Sequence, residues 1–175
     1  MVDAPVRGSI REASKGELII LVGAEQDDLA RVRPIIEVLG SVRHIGGPGS
    51  GAAMKLVVNS TLGATIAAFG EALALGDSLG LDRVALLDAL ADTPIGSTVT
   101  SKRTNVESGR YPPRFKLGLA AKDMRLATEA AVSAGRDLKV ARAVLGWFEQ
   151  ATDEGSGDLD YGAVVATIVG TDARA

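Results

Sequence analysis

With 175 residues, of which 46% are hydrophobic, 23% charged and only 3% aromatic, the chain reads as a soluble globular protein of one domain or two small ones. A net charge of -3 and a pI near 5.2 give no reason to expect nucleic acid or a membrane surface as partner. The lack of cysteine excludes a disulfide framework and a thiolate metal site, and fits the cytoplasm.

The opening residues carry no apolar core of the kind a signal peptide needs. Val2 to Val6 reads as the end of a strand, and Arg7-Gly8-Ser9 turns. Leu18 to Val22 is a continuous branched apolar run closed by Gly23, as expected of a strand buried on both faces. Asp27 to Leu39 reads as a helix with Leu29, Val32, Ile35, Ile36 and Leu39 on one side. Pro34 should bend it and Gly40 cap it. Val42 to Ile45 is a further short strand, with His44 as a strand-end structural residue. These strands are too few for an ordinary sheet, so residues 1–47 look like the tail of a larger α/β domain.

The glycine-rich stretch Gly46 to Gly51 then leads into a long helix ending near Gly80. Its apolar residues, among them Leu56, Val57, Ile66, Phe69, Leu73 and Leu75, cover every face, which predicts burial all round. Small residues such as Gly63 and Gly70 allow close helix approach. The uncharged run ends at Glu71, short of the about 20 residues of a membrane span. Lys55 and Asn59 stand four apart, hence on one face of an otherwise apolar rod. That amine and amide are the candidate chemistry.

No strand is expected after Gly49. Leu81 to Ala91 predicts a second helix with Asp82 at its start, and Ser97 to Val106 a short polar one. Gly109 to Phe115 reads as a loop. Lys116 to Ala134, closed by Gly135, and Val140 to Ala151 are two further helices. Gly155 to Asp158 is a flexible turn, and Asp160 is the N-cap of a last helix reaching Val169; neither Asp158 nor Asp160 suggests a metal site.

Four stretches, in order and across nearly the whole chain, carry a family resemblance. They are Asp3-Ala4-Pro5-Val6-Arg7-Gly8-Ser9, Gly49 to Asn59, Phe115 to Asp123, and Gly155 to Tyr161. The chain resembles the β-hydroxyacid dehydrogenases, which include 3-hydroxyisobutyrate and 6-phosphogluconate dehydrogenases. The resemblance implies a mainly α fold: an all-helical dehydrogenase domain with a long central helix (48–175). Before it come the last strands and helix of an incomplete Rossmann-like α/β domain (1–47).

It also implies NAD or NADP as cofactor, a small hydroxy acid or carbonyl compound as substrate, and a homodimer. The glycine fingerprint for a dinucleotide pyrophosphate is absent, because Gly47 to Ala52 misplaces its third glycine and no acidic ribose ligand follows about 20 residues on, after a second strand. The chain therefore looks like part of an enzyme.

By the resemblance, Lys55 is the general acid/base and Asn59 holds the substrate against it. Lysine, with an ordinary pKa of about 10.4, is a poor base at neutral pH, and burial in an apolar setting would lower that value. The plainer readings are a snorkelling lysine and a satisfied buried amide. Arg7, Gly8 and Ser9 form the substrate-binding turn, which departs from the family's serine and two glycines. Arg7 either pairs with an acid substrate or points to solvent. Lys122 faces nicotinamide or substrate carboxylate, or else is a solvated lysine beside Asp123 or Glu129. Phe115 walls the cofactor site or is core. Two other readings stand beside the dehydrogenase: a non-catalytic helical dimerisation module, and an imine reductase, against which Lys55 argues.

Overall fold

The computed structural model describes residues 1–175 and divides into two compact units, Met1–Asn59 and Ser60–Ala175. In the first unit three strands form a sheet in the order β1 (Val6–Arg7), β2 (Leu18–Gly23), β3 (Gly40–Gly46). β2 is central, antiparallel to β1 and parallel to β3, with an irregularity at Val22 and Gly23. Its branched side chains are nearly all buried, as the unbroken apolar run predicts.

Between β1 and β2 runs a short helix, α1 (Ile10–Ala13), which the sequence reading did not anticipate. Helix α2 (Gln26–Ile36) passes through Pro34 and ends in a 3-10 turn from Glu37 to Leu39. Only part of its expected apolar side is covered. Leu29 is buried and Ile36 packs beside it, whereas Ile35 is 72% exposed and Leu39 is also exposed. A three-stranded sheet offers too little surface to cover the whole face.

Helix α3 (Ser50–Ser78) is continuous over 29 residues and crosses from the first unit into the second. In the second unit come α4 (Arg83–Ala91), α5 (Gly96–Ser108), α6 (Leu117–Ser133), α7 (Lys139–Ala151) and α8 (Val164–Val169). The expected caps are in place. Asp82 accepts from the Ala85 N–H at 2.9 Å, and Asp160 from the Gly162 N–H at 3.0 Å.

Ile66, Phe69 and Leu73 of α3 lie in one core with Leu87, Val99, Leu117, Met124, Val144, Phe148 and Val164. The glycines of α3 permit this closeness: a Cβ on Gly63 would meet Met124 and Val144 at 2.9 Å, and one on Gly70 would meet Ile168 at 2.7 Å.

Burial of α3 on all sides does not hold within this chain. Val57 and Leu75 are 60% and 61% exposed, and Met54 is exposed as well. The helix is long and apolar enough to cross a bilayer by length and composition. One side of it is nevertheless the centre of the helical core. The turn before α8 is also not loose. Ser156 is buried, and the carbonyls of Gly157 and Leu159 accept from the N–H groups of Gly118 and Leu117.

Candidate active site

Gly8 sits at φ +131°, a backbone conformation that side chains oppose. A Cβ there would also lie 2.7 Å from Leu18. Glycine is required at this point of the turn, whatever flanks it. Ser9 follows as N-cap of α1: its N–H and its hydroxyl both donate to the Glu12 carboxylate, at 2.7 and 2.5 Å. Those bonds hold the Glu12 carboxyl far below its ordinary value of 4.5, at about 2. The Ser9-x-x-Glu12 spacing is a capping-box signature, and that signal was available in the sequence. Arg7 is exposed and forms no ion pair.

Lys55 comes to this turn. Its Nζ donates to the Val6 carbonyl at 2.8 Å, across 49 residues of sequence. Lys55 is half-buried, and Asn59, one helical turn on, is buried. The amine and the turn that the sequence singled out are therefore brought together within the first unit.

What sequence reasoning missed here is Asp3. Its two carboxylate oxygens accept from the N–H groups of Gly49 at 2.5 Å and Ala52 at 2.6 Å, where α3 begins. Burial pushes the Asp3 carboxyl up, and backbone N–H groups of Gly49, Ala52 and Gly51 more than offset it, leaving it below the ordinary carboxylate range. Gly23 and Gly51 make the approach possible, since a Cβ on Gly51 would lie 2.3 Å from the Leu21 carbonyl oxygen.

In the second unit Phe115 is half-buried and its ring meets that of Tyr161 at 5.8 Å, tilted by 53°. Its N–H donates to the Asp160 carboxylate. Lys122 is more than half exposed and pairs with Asp123 at 2.9 Å, one of the two pairings named for a solvated lysine. Beneath this region lies a second feature invisible in the sequence. Lys102 of α5 and Asp160 form a buried ion pair, with the ammonium 4.2 Å from the centre of the Tyr161 ring. His44 is structural, its Nε2 bonded to the Ala24 carbonyl at 2.8 Å.

A dinucleotide needs somewhere to place its pyrophosphate, commonly at a helix N-terminus. The N-terminus of α3 does not fit that role, because Asp3 already receives its N–H groups and adds a negative charge. Phe115 offers an aromatic face and Lys122 an exposed cation, groups chemically suited to a nicotinamide end.

A small sheet followed by a long helix and a helical core is an architecture shared with solved dehydrogenases. Residues 49–168 match the family described as the NAD-binding domain of NADP-dependent 3-hydroxyisobutyrate dehydrogenase, and residues 1–47 the NAD-binding domain of 6-phosphogluconate dehydrogenase. The chain belongs to the β-hydroxyacid dehydrogenase family, whose members use NAD(P).

Glyoxylate/succinic semialdehyde reductase 1 of Arabidopsis thaliana is 36% identical over 169 residues, covering 95% of this chain and 58% of its own. The 2-(hydroxymethyl)glutarate dehydrogenase of Eubacterium barkeri is 32% identical over 94% of this chain and 56% of its own. Among solved structures, the 3-hydroxyisobutyrate dehydrogenase of Mycobacterium tuberculosis with L-serine superposes with a TM-score of 0.83 at 27% identity, over 95% of this chain and 60% of that one. The chain thus spans somewhat over half the length of these relatives.

Proposed function

We propose that this chain supplies the substrate-binding and proton-transferring part of an NAD(P)-dependent dehydrogenase acting on a small hydroxy acid or the corresponding aldehyde. The observation that carries this reading is the 2.8 Å contact between the Lys55 amine and the Val6 carbonyl, beside Arg7, Gly8 and Ser9. When bound, the nicotinamide supplies the hydride acceptor or donor. Lys55 takes the hydroxyl proton on oxidation and returns it to the carbonyl oxygen on reduction. Asn59 hydrogen-bonds the substrate on the same helix face. Arg7 pairs with a substrate carboxylate, and Lys122 and Phe115 bound the nicotinamide side.

In this reading residues 1–47 close a nucleotide-binding domain and residues 48–175 form the substrate and dimerisation domain. Homodimer formation is supported by exposed Met54, Val57 and Leu75 on α3, apolar side chains that a second copy would cover. The acidic balance and the core position of α3 support a soluble, cytoplasmic protein with neither nucleic acid nor membrane as partner.

The test is steady-state turnover of glyoxylate, succinic semialdehyde and 3-hydroxyisobutyrate by the protein joined to a cofactor-binding half, with Lys55→Ala alongside. Measurable turnover that Lys55→Ala lowers by about 10²-fold or more supports the reading, in line with the usual worth of a positioned acid/base. Near-normal turnover in Lys55→Ala overturns the role of the lysine.

A further inference from the structure

Helix caps are normally supplied by the residue next to the helix. At the start of α3 the local candidate does not serve. The Ser50 hydroxyl donates instead to the Gly47 carbonyl, at 2.7 Å. The cap comes from Asp3, 46 residues before Gly49 and 49 before Ala52. Asp3 is itself fastened to the sheet, its N–H and carbonyl both bonded to Gly23. Three residues further along the same edge, the Val6 carbonyl receives Lys55.

The helix is therefore pinned to one strand edge at two points, its backbone N–H groups at Asp3 and its amine at Val6. Ala52 to Lys55 advances about 4.5 Å along a helix, whereas Asp3 to Val6 spans about 10 Å of extended chain. The flexible lysine stem bridges the difference, so the place where its amine arrives depends on where the helix starts. Without the cap the first turn would fray up to the edge of Lys55, loosening the backbone from which its amine reaches Val6.

We infer that Asp3 is a positioning residue for Lys55, setting the register at which the amine meets the substrate-binding turn; this rests on the role proposed for Lys55 above. Gly23 and Gly51 serve the same purpose by letting the helix start settle against the end of β2. The cap belongs to the same segment as the turn. Substrate contacts and proton donor are consequently held by one short stretch of chain, residues 3–9.

The experiment measures the acylation rate of each lysine in the chain by competitive labelling and mass spectrometry, for the unaltered protein, Asp3→Ala, Asp3→Glu and Asp82→Ala. Asp82→Ala removes a cap of similar kind from α4, distant in sequence from the turn. The expected result is a several-fold rise at Lys55 in Asp3→Ala, largely reversed in Asp3→Glu and absent in Asp82→Ala. An unchanged Lys55 rate in Asp3→Ala, or an equal rise in Asp82→Ala, overturns the inference. Should Asp3→Ala fail to fold, Asp3→Asn keeps one acceptor oxygen. It is expected to give a smaller rise at Lys55, and no rise with accelerated amide exchange at Gly49 and Ala52 overturns the inference equally.

In protein carrying the cofactor-binding half, Asp3→Ala is expected to lower kcat roughly tenfold or more with cofactor KM within about twofold, as misplacement of a reacting group does. The labelling readout needs no turnover. Failure of the dehydrogenase reading, seen as full turnover in Lys55→Ala, is therefore distinguishable from failure of this inference.

Discussion

Asp160 receives the Lys102 ammonium at 2.5 Å, with both side chains almost wholly buried and 58 residues of sequence between them. The carboxylate does more than balance a charge. It also accepts the N–H groups of Gly162, Arg114 and Phe115, so it ties α5, the loop before α6 and the turn into α8 to one another. The Tyr161 ring closes over the ammonium.

The two partners are therefore unequal. Asp160→Ala strands a buried ammonium and three N–H donors, and is expected to cost about 3–5 kcal/mol, the usual penalty for breaking a buried pair. Lys102→Met leaves the carboxylate with its backbone donors and is expected to cost roughly 1–3 kcal/mol. Urea unfolding of the two variants checks the order as well as the sizes.

Lys55→Ala is expected to remove turnover while leaving the fold intact, because the side chain is only half-buried and its amine bonds a carbonyl at the sheet edge. Circular dichroism, gel filtration and kcat measured on one preparation separate the two effects. A variant that loses activity by unfolding would show it in all three.

Two glycine-to-alanine changes are expected to have opposite signs. At Gly51 the new Cβ would press on the Leu21 carbonyl at the α3 cap, and overpacking of this kind costs about 1–3 kcal/mol. At Gly146, exposed in the middle of α7, a Cβ would meet nothing within 4 Å. There alanine is expected to stabilise by roughly 0.5–1 kcal/mol through helix propensity. Denaturant midpoints compare them directly.

The chain's two tyrosines, Tyr111 and Tyr161, are both pushed up by burial to about 12, with the Asp160 charge adding to the rise. The folded state then holds its phenolic protons more tightly than the unfolded chain, where tyrosine has its ordinary value of 10.0. Stability from this source is complete below pH 10 and is lost as pH rises from there towards 12. Ultraviolet titration is expected to show no tyrosinate step near 10, and ionisation coupled to unfolding above it.

Much of this molecule was legible in its sequence, where signals are local. The branched run from Leu18 to Val22, the caps at Asp82 and Asp160, and the four-residue spacing of Lys55 and Asn59 all depend on neighbours within a turn or a strand. The same locality made α1 readable from Ser9 and Glu12, though its brevity hid it. The cap from Asp3 and the ion pair of Lys102 were not legible, because their partners lie dozens of residues away, even though Asp3 stands in a stretch that carries the family resemblance. Exposure of Val57 and Leu75 was illegible for another reason: apolar residues all round a helix say that it will be covered, not by which chain.

The division into two units also has an optical consequence. All six Phe, Tyr and Trp residues lie after Asn59, among them the lone Trp147, whose indole N–H donates to Glu71 of α3 at 2.9 Å. Near-ultraviolet and intrinsic fluorescence signals therefore come only from the helical unit, and the segment bearing Asp3, Lys55 and the turn is dark to them. The one histidine, His44, falls on that dark side, so its imidazole resonances offer a complementary reporter. Melting followed by both probes would reveal whether lysine and bundle come apart together or in sequence.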